Sequence, residues 1–238
     1  MRALTWSLTT LLWSAPAWSQ TVSSAAPAET AGAAPDGALG WLVLLALGPL
    51  LAVVATAFAK AAVLLGILRG GLGTSSVLPT PVILGLATVL ALLVMAPVGR
   101  DLNEAMGPTP ATDTEALVSA SSTAWPILEQ FLVTHTKPAD TATVADALKT
   151  LDPDPRRAER PAARIVAFSI TELTAAFHLG VLLLIPFLVV DLLVANTLAV
   201  LGFHLLSPVL VALPFKLLLF VAADGWSLFV RGFMGTYT

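Results

Sequence analysis

Ile185-Pro186-Phe187-Leu188-Val189-Val190-Asp191-Leu192 and Leu213-Pro214-Phe215-Lys216-Leu217-Leu218-Leu219-Phe220-Val221 each place a single charge in an otherwise apolar run. A charge inside an apolar span is costly and marks a pairing or functional position. The short connection Gly202 to Ser207 lies between the two runs, and if they fold back about it, residues equidistant from its middle lie level. Asp191 and Lys216 are such a pair, so they are expected to face one another, within the hairpin or across a subunit contact. That arrangement makes a buried charge tolerable. The functional alternative is a proton or ion relay. Asp224 follows Lys216 by two turns on roughly the same face, about 12 Å along the axis, and needs a different partner on another chain.

The rest of the chain explains why these charges stand out. Of 238 residues, 57% are hydrophobic and only 11% are charged, 12 Lys and Arg against 15 Asp and Glu, and the mean hydropathy is +0.87. A soluble domain carries roughly 25% charged residues, so most of this surface must face lipid or protein. Seventeen of the charges lie between Asp101 and Glu172, eleven acidic and six basic. The pattern reads as membrane, loop, membrane. No cluster of Lys and Arg offers a footprint for nucleic acid, and the absence of cysteine excludes disulfides, thiolate metal sites and cysteine nucleophiles.

Residues 1–19 read as a signal peptide, with Arg2, an apolar run to Trp13 and Ala17-Trp18-Ser19 as a small-x-small cleavage site. Residues 20–37 form a flexible lead-in, with little to bury. Gly37–Ala59 has no charge and is long enough to span a bilayer, with Trp41 as an interfacial anchor. Pro81–Val98 is the second span. These two make a first hairpin over 38–99, bent through Gly70, Gly71, Gly73, Pro79 and Pro81. The third span, Leu173 to about Leu201, and the fourth, Pro208 to about Phe233, make a second hairpin over 173–238. Pro49, Pro97, Pro186 and Pro214 can kink these helices.

A signal peptide puts the mature start outside the cytoplasm. Lys60 and Arg69 then sit in a short cytoplasmic loop, as the positive-inside rule prefers, and the 100–172 region is extracytoplasmic. Within that region Thr112-x-x-Glu115 makes a capping box for a helix through about Thr134, bent or restarted at Pro126. A second helix is expected over Ala139–Thr150, and Asp152-Pro153-Asp154-Pro155 breaks the pattern. From Pro161, helical periodicity runs into the third span. Little chemistry is visible. His135, His178 and His204 are scattered and form no metal-ligand pair, Gly70-Gly71-Leu72-Gly73 lacks the Lys-Ser/Thr of a phosphate loop, and no catalytic constellation or cofactor site is expected.

Several ordered blocks carry a resemblance. They are Ala55-Thr56-Ala57-Phe58-Ala59-Lys60 with Leu68-Arg69-Gly70-Gly71-Leu72-Gly73, Val94-Met95-Ala96-Pro97-Val98, and the two charged runs, the second continuing to Asp224-Gly225-Trp226. From about residue 40 onward they resemble the FliP/SctR family of type III protein export, whose injectisome branch is SctR (YscR, HrcR). Lys60 and Ser207-Pro208 look more like the injectisome branch, whereas the apparent signal peptide is more familiar from the flagellar branch.

The resemblance implies an all-α membrane protein of two long Pro-kinked hairpins with a helical extracytoplasmic insertion, a non-enzymatic subunit of the export gate in the bacterial inner membrane. It implies five copies in a pseudo-helical ring with SctS, SctT, SctU and SctV homologues, passing unfolded secreted proteins. Family members raise their hairpins out of the normal bilayer position, so four spans can overstate contact with lipid.

Relatives carry a methionine run at the hairpin tip that closes the pore. Phe203, His204 and Leu205 stand there in this chain. They read either as a plain turn or as an apolar constriction, with His204 able to titrate near neutral pH. Outside the family, a small ion channel would use Asp191, Lys216 and Asp224 as its pathway, and a secondary transporter would show internal repeats.

Overall fold

The computed structural model describes residues 46, 48–51, 53–73, 78–107, 114–151, 156 and 159–237. The signal peptide, the lead-in, Trp41, the Thr112–Glu115 capping box and Asp152–Pro155 lie outside the described residues or their described side chains. In chain order the helices are α1 (Phe58–Leu72), α2 (Thr80–Met106), α3 (Thr114–Thr134), α4 (Pro138–Leu151), α5 (Pro161–Val200), α6 (Pro208–Ala222) and α7 (Gly225–Met234). No strand occurs among the described residues.

Helix α1 occupies the stretch expected as a loop between two spans. Its apolar positions Ala61, Leu64, Leu65, Leu68 and Leu72 recur at helical spacing and are buried, which is the stripe a packed helix needs. They meet Ile83, Ala87, Leu90, Ala91, Val94 and Val98 of α2 in one core, to which α5 adds Phe168 and Phe187. Before α1 the chain is helical at 48–51 and 53–54 and then bends at Ala55–Ala57. The Ser169 hydroxyl of α5, whose shorter bond is to the Ile165 carbonyl at 2.7 Å, also lies 3.1 Å from the Val54 carbonyl, beside the break before α1.

Glycines set how closely α1 approaches α5. A Cβ on Gly180 would lie 2.5 Å from Ile67 Cδ1 and 3.3 Å from Ile67 Cβ, and one on Gly71 would lie 2.6 Å from Leu184 and 2.8 Å from Phe187. Gly71 is therefore a packing residue within α1 and not part of the bend, and Gly70 is helical as well. The turn itself is narrower than expected. Gly73 ends α1 in the left-handed conformation, φ 88°, with its N–H on the Gly70 carbonyl, as glycine readily does. Pro79 and Pro81 start α2, where a missing N–H costs nothing, and Arg69 Nη1 donates to Thr80 Oγ1 across the turn at 2.9 Å. Substituting Gly180 by alanine should destabilise the fold by about 1–3 kcal/mol, even though alanine is the better helix former. Thermal unfolding in detergent measures this. An unchanged or raised midpoint would mean that Ile67 gives way freely.

Helix α5 has 40 residues, about 60 Å by the helical rise and far longer than the roughly 30 Å hydrocarbon core of a bilayer. Its first half carries α3 and α4: Arg164 pairs with Glu129 at 2.8 Å, and Val144 meets Ala163 and Ala167 in a small second core. Helix α3 runs through Pro126 without restarting, and α2 continues past Val98 to Met106, taking Arg100, Asp101 and Glu104 with it.

Among the described residues, two helices, α2 and α5, are long and apolar enough to cross a membrane, and α6 with α7 makes a third if that bent pair is one span. The expected continuous fourth span is broken. α6 and α7 meet at 64°, because Asp224 takes a left-handed conformation, φ 49° and ψ 51°, and Phe220 packs against Gly225 where a Cβ would sit 2.3 Å away.

Candidate functional site

Among the described residues, two charge clusters built on buried ammonium groups organise the helices, one of them anticipated. Lys216 on α6 is 2% exposed, and its Nζ lies 2.7 Å from Asp191 Oδ2 on α5. The same ammonium donates to the Gly71 carbonyl of α1 at 2.9 Å. That carbonyl belongs to the last turn of α1, where carbonyls lack helical donors and the helix dipole favours a cation. Lys216 thus closes the end of α1 and joins three helices through one group. Asp191 Oδ1 is closed off, with no hydrogen-bond partner among the described residues. Asp224 does not continue this line: the break takes it off the α6 axis, exposed, without a side-chain bond to the start of α7.

Sequence reasoning missed the second cluster. Lys60 on α1 is 1% exposed, and its Nζ lies 3.1 Å from Glu172 Oε1 on α5. It also donates to Thr236 Oγ1 at 2.8 Å and sits 4.1 Å from the centre of the Tyr237 ring, a cation–π distance. The Tyr237 hydroxyl donates to Glu172 Oε2. Burial, and then the neighbouring Glu172 charge, push the Tyr237 phenol above its ordinary range, which favours its protonated, donating form. Beside this cluster opens a cavity of about 600 Å³ whose lining includes His135, Lys137, Thr171 and His178. Thr171 Oγ1 donates to Asp140 Oδ2 at 2.5 Å and accepts from the Lys137 amide at 3.1 Å, fixing the α3–α4 corner to α5.

The expectation sets Lys60 in a short cytoplasmic loop and Glu172 at the end of the extracytoplasmic region; their side chains meet at 3.1 Å, so the two residues lie at one level. The available signal was a lone charge at the edge of each apolar run; nothing in the spacing linked positions 60 and 172.

At the hairpin tip, α5 ends in two reciprocal bonds. The Phe203 amide reaches the Leu198 carbonyl at 2.9 Å and the Gly202 amide the Ala199 carbonyl at 3.1 Å, with Gly202 at φ 77°, a Schellman ending. Phe203, His204 and Leu205 project from this locked turn, all exposed, and Leu205 is entirely uncovered. An alanine at 202 would be forced into the left-handed region, at a cost of about 1–2 kcal/mol. The Gly202→Ala chain should therefore show faster amide exchange at Gly202 and Phe203 positions than the native chain. Unchanged exchange would mean that the turn is not held by this geometry.

The FliP family model matches residues 41–233. The hypersensitivity response secretion protein HrcR of Ralstonia nicotianae is 38% identical over 206 residues, 82% of this chain and 94% of the relative. Yop proteins translocation protein R of Yersinia pestis is 36% identical over 203 residues, 82% and 93% of the two chains. The flagellar biosynthetic protein FliP of Bacillus subtilis is 34% identical over 198 residues, 82% and 89%. With a match that covers Lys60, Glu172, Asp191, Lys216 and the tip, the chain belongs to the FliP family.

Proposed function

We propose that this chain is a structural, non-enzymatic subunit of the protein-export gate of a bacterial type III secretion system, at the entry to the channel through the inner membrane. Family membership and relatives named for secretion and translocation support this reading. Within the molecule, the second hairpin carries it. Leu182, Leu188, Leu192, Leu193, Leu210, Leu218 and Val221 are exposed along α5 and α6, more apolar surface than a monomer leaves to water. We take the cover to be neighbouring copies, five in a ring, with SctS, SctT, SctU and SctV homologues and, in transit, unfolded secreted proteins. The chain crosses the membrane more than once, with 100–172 extracytoplasmic and Lys60 at the level of Glu172. A flagellar counterpart is the alternative, since relatives named for flagellar biosynthesis match comparably; neighbouring genes separate the two.

The tip supplies the functional test. On this proposal Phe203, His204 and Leu205 form the apolar closure of the pore. Replacing all three by glycine in the assembled gate should let small ions or solutes leak through cells expressing it. Unchanged permeability would remove the gasket role. Purification in detergent tests the reading itself: a large hetero-oligomer is expected, and a monomer or dimer alone would favour a transporter.

A further inference from the structure

We infer that Thr236 and Tyr237, in the turn that follows α7, form a latch that seals the buried Lys60–Glu172 pair from the adjoining cavity. Three observations converge on it. First, two hydrogen bonds of this turn end on one ion pair: Thr236 Oγ1 accepts from Lys60 Nζ at 2.8 Å, and the Tyr237 hydroxyl donates to Glu172 Oε2. Thr236 is itself held by donating to the Phe233 carbonyl at 2.7 Å. Second, the Tyr237 ring covers the ammonium face-on at 4.1 Å and is backed by His135 and Phe233, with ring centres 5.4 and 5.6 Å away. Third, Lys60, Glu172, Thr236 and Tyr237 all line the cavity of about 600 Å³, yet Lys60 is 1% exposed. Thr236 and Tyr237 touch the ammonium directly, and both also line that space.

The mechanical setting fits a latch. Helix α7 is a short element with a left-handed Asp224 and a 64° bend at its start and the Thr236–Tyr237 turn at its end. Releasing the turn would uncover both charges to the cavity while Phe229 and Phe233, buried under α7, keep the helix in place. The Lys216–Asp191 pair has no contact with the turn among the described residues and serves as an internal reference.

The test is pulse acylation of the full-length chain in detergent by a small amine-reactive ester at fixed pH, with each lysine followed by mass spectrometry. In the native chain Lys60 and Lys216 should both react slowly beside Lys149, whose side chain is 76% exposed. Tyr237→Ala should raise the Lys60 rate alone, roughly tenfold to a hundredfold, the range set by losing a hydrogen bond to a charged group. No rise at Lys60 would overturn the latch. If Lys60 and Lys216 rise together, the variant has loosened globally and Tyr237→Phe decides. That change keeps the ring and removes only the hydroxyl; a rise confined to Lys60 supports the latch, and no rise or a joint rise overturns it. The inference stands or falls independently of the export-gate reading.

Discussion

Lys216→Met should lower stability by about 1.5–3 kcal/mol, the worth of hydrogen bonds to charged groups, because Lys216 is buried while the Asp191 side chain stays 36% exposed, and should prevent recovery of an assembled complex. Two groups lose their donor at once. Asp191 Oδ2 loses the ammonium 2.7 Å away while Oδ1 has no partner among the described residues, and the Gly71 carbonyl at the end of α1 loses this donor. Asp191→Asn should cost less, because the ammonium keeps the Gly71 carbonyl and an amide oxygen can still accept. The exchange Asp191→Lys with Lys216→Asp tests pairing itself. It should assemble better than either single change but below the native chain, because the relocated ammonium would no longer close α1. Assembly no better than either single variant would mean that direct pairing is not what holds the hairpin. Recovered complex on native gels and detergent unfolding midpoints give both readings.

The second large effect is expected at Lys60. Lys60→Met strips Glu172 of its cation in a site where both side chains are almost fully covered, at about 3–5 kcal/mol, the cost of removing one partner from a buried pair. Replacing the whole cluster should behave differently. With Lys60→Met, Glu172→Leu and Tyr237→Phe together, no buried charge or phenol is left unpaired, and stability should return to near the native value, since an apolar substitute for a buried pair is often neutral or better. If the triple variant unfolds as easily as Lys60→Met, then packing around the methylene stem of Lys60, and not charge, dominates the site. If it is stable yet exports nothing, the cluster is retained for the gate and not for the fold. Unfolding in detergent and a secretion assay in cells separate these outcomes.

The second hairpin was readable because its information is local. Long apolar runs name the helices, Gly202–Ser207 interrupts them, and equal spacing from that turn places Asp191 opposite Lys216. The insertion helices were readable for the same reason: α3 ends at Thr134 and α4 covers 138–151, within a residue or two of where their periodicity stops. The first hairpin misled because hydropathy cannot say what covers an apolar stretch. The Gly-rich Leu68–Gly73 segment reads as a turn by composition, yet Gly71 is helical and small because Leu184 and Phe187 press on it. The break at Asp224 was hidden too, since its cause is a ring from four residues earlier seeking the space above Gly225.

By itself, then, the sequence determined an all-helical chain too poor in charge to cover its own surface, and the pairing of charges across one short turn. Both follow from periodicity and from distances along the chain. The tertiary structure decided that α1 lies along α5, that Lys60 and Glu172 meet, and that Thr236 and Tyr237 close over them. Those contacts join positions more than a hundred residues apart, or residues brought close by the bend at Asp224. No local preference encodes them; they exist because burying an ammonium is tolerable only where an opposite charge and enough hydrogen-bonding groups are delivered to the same point.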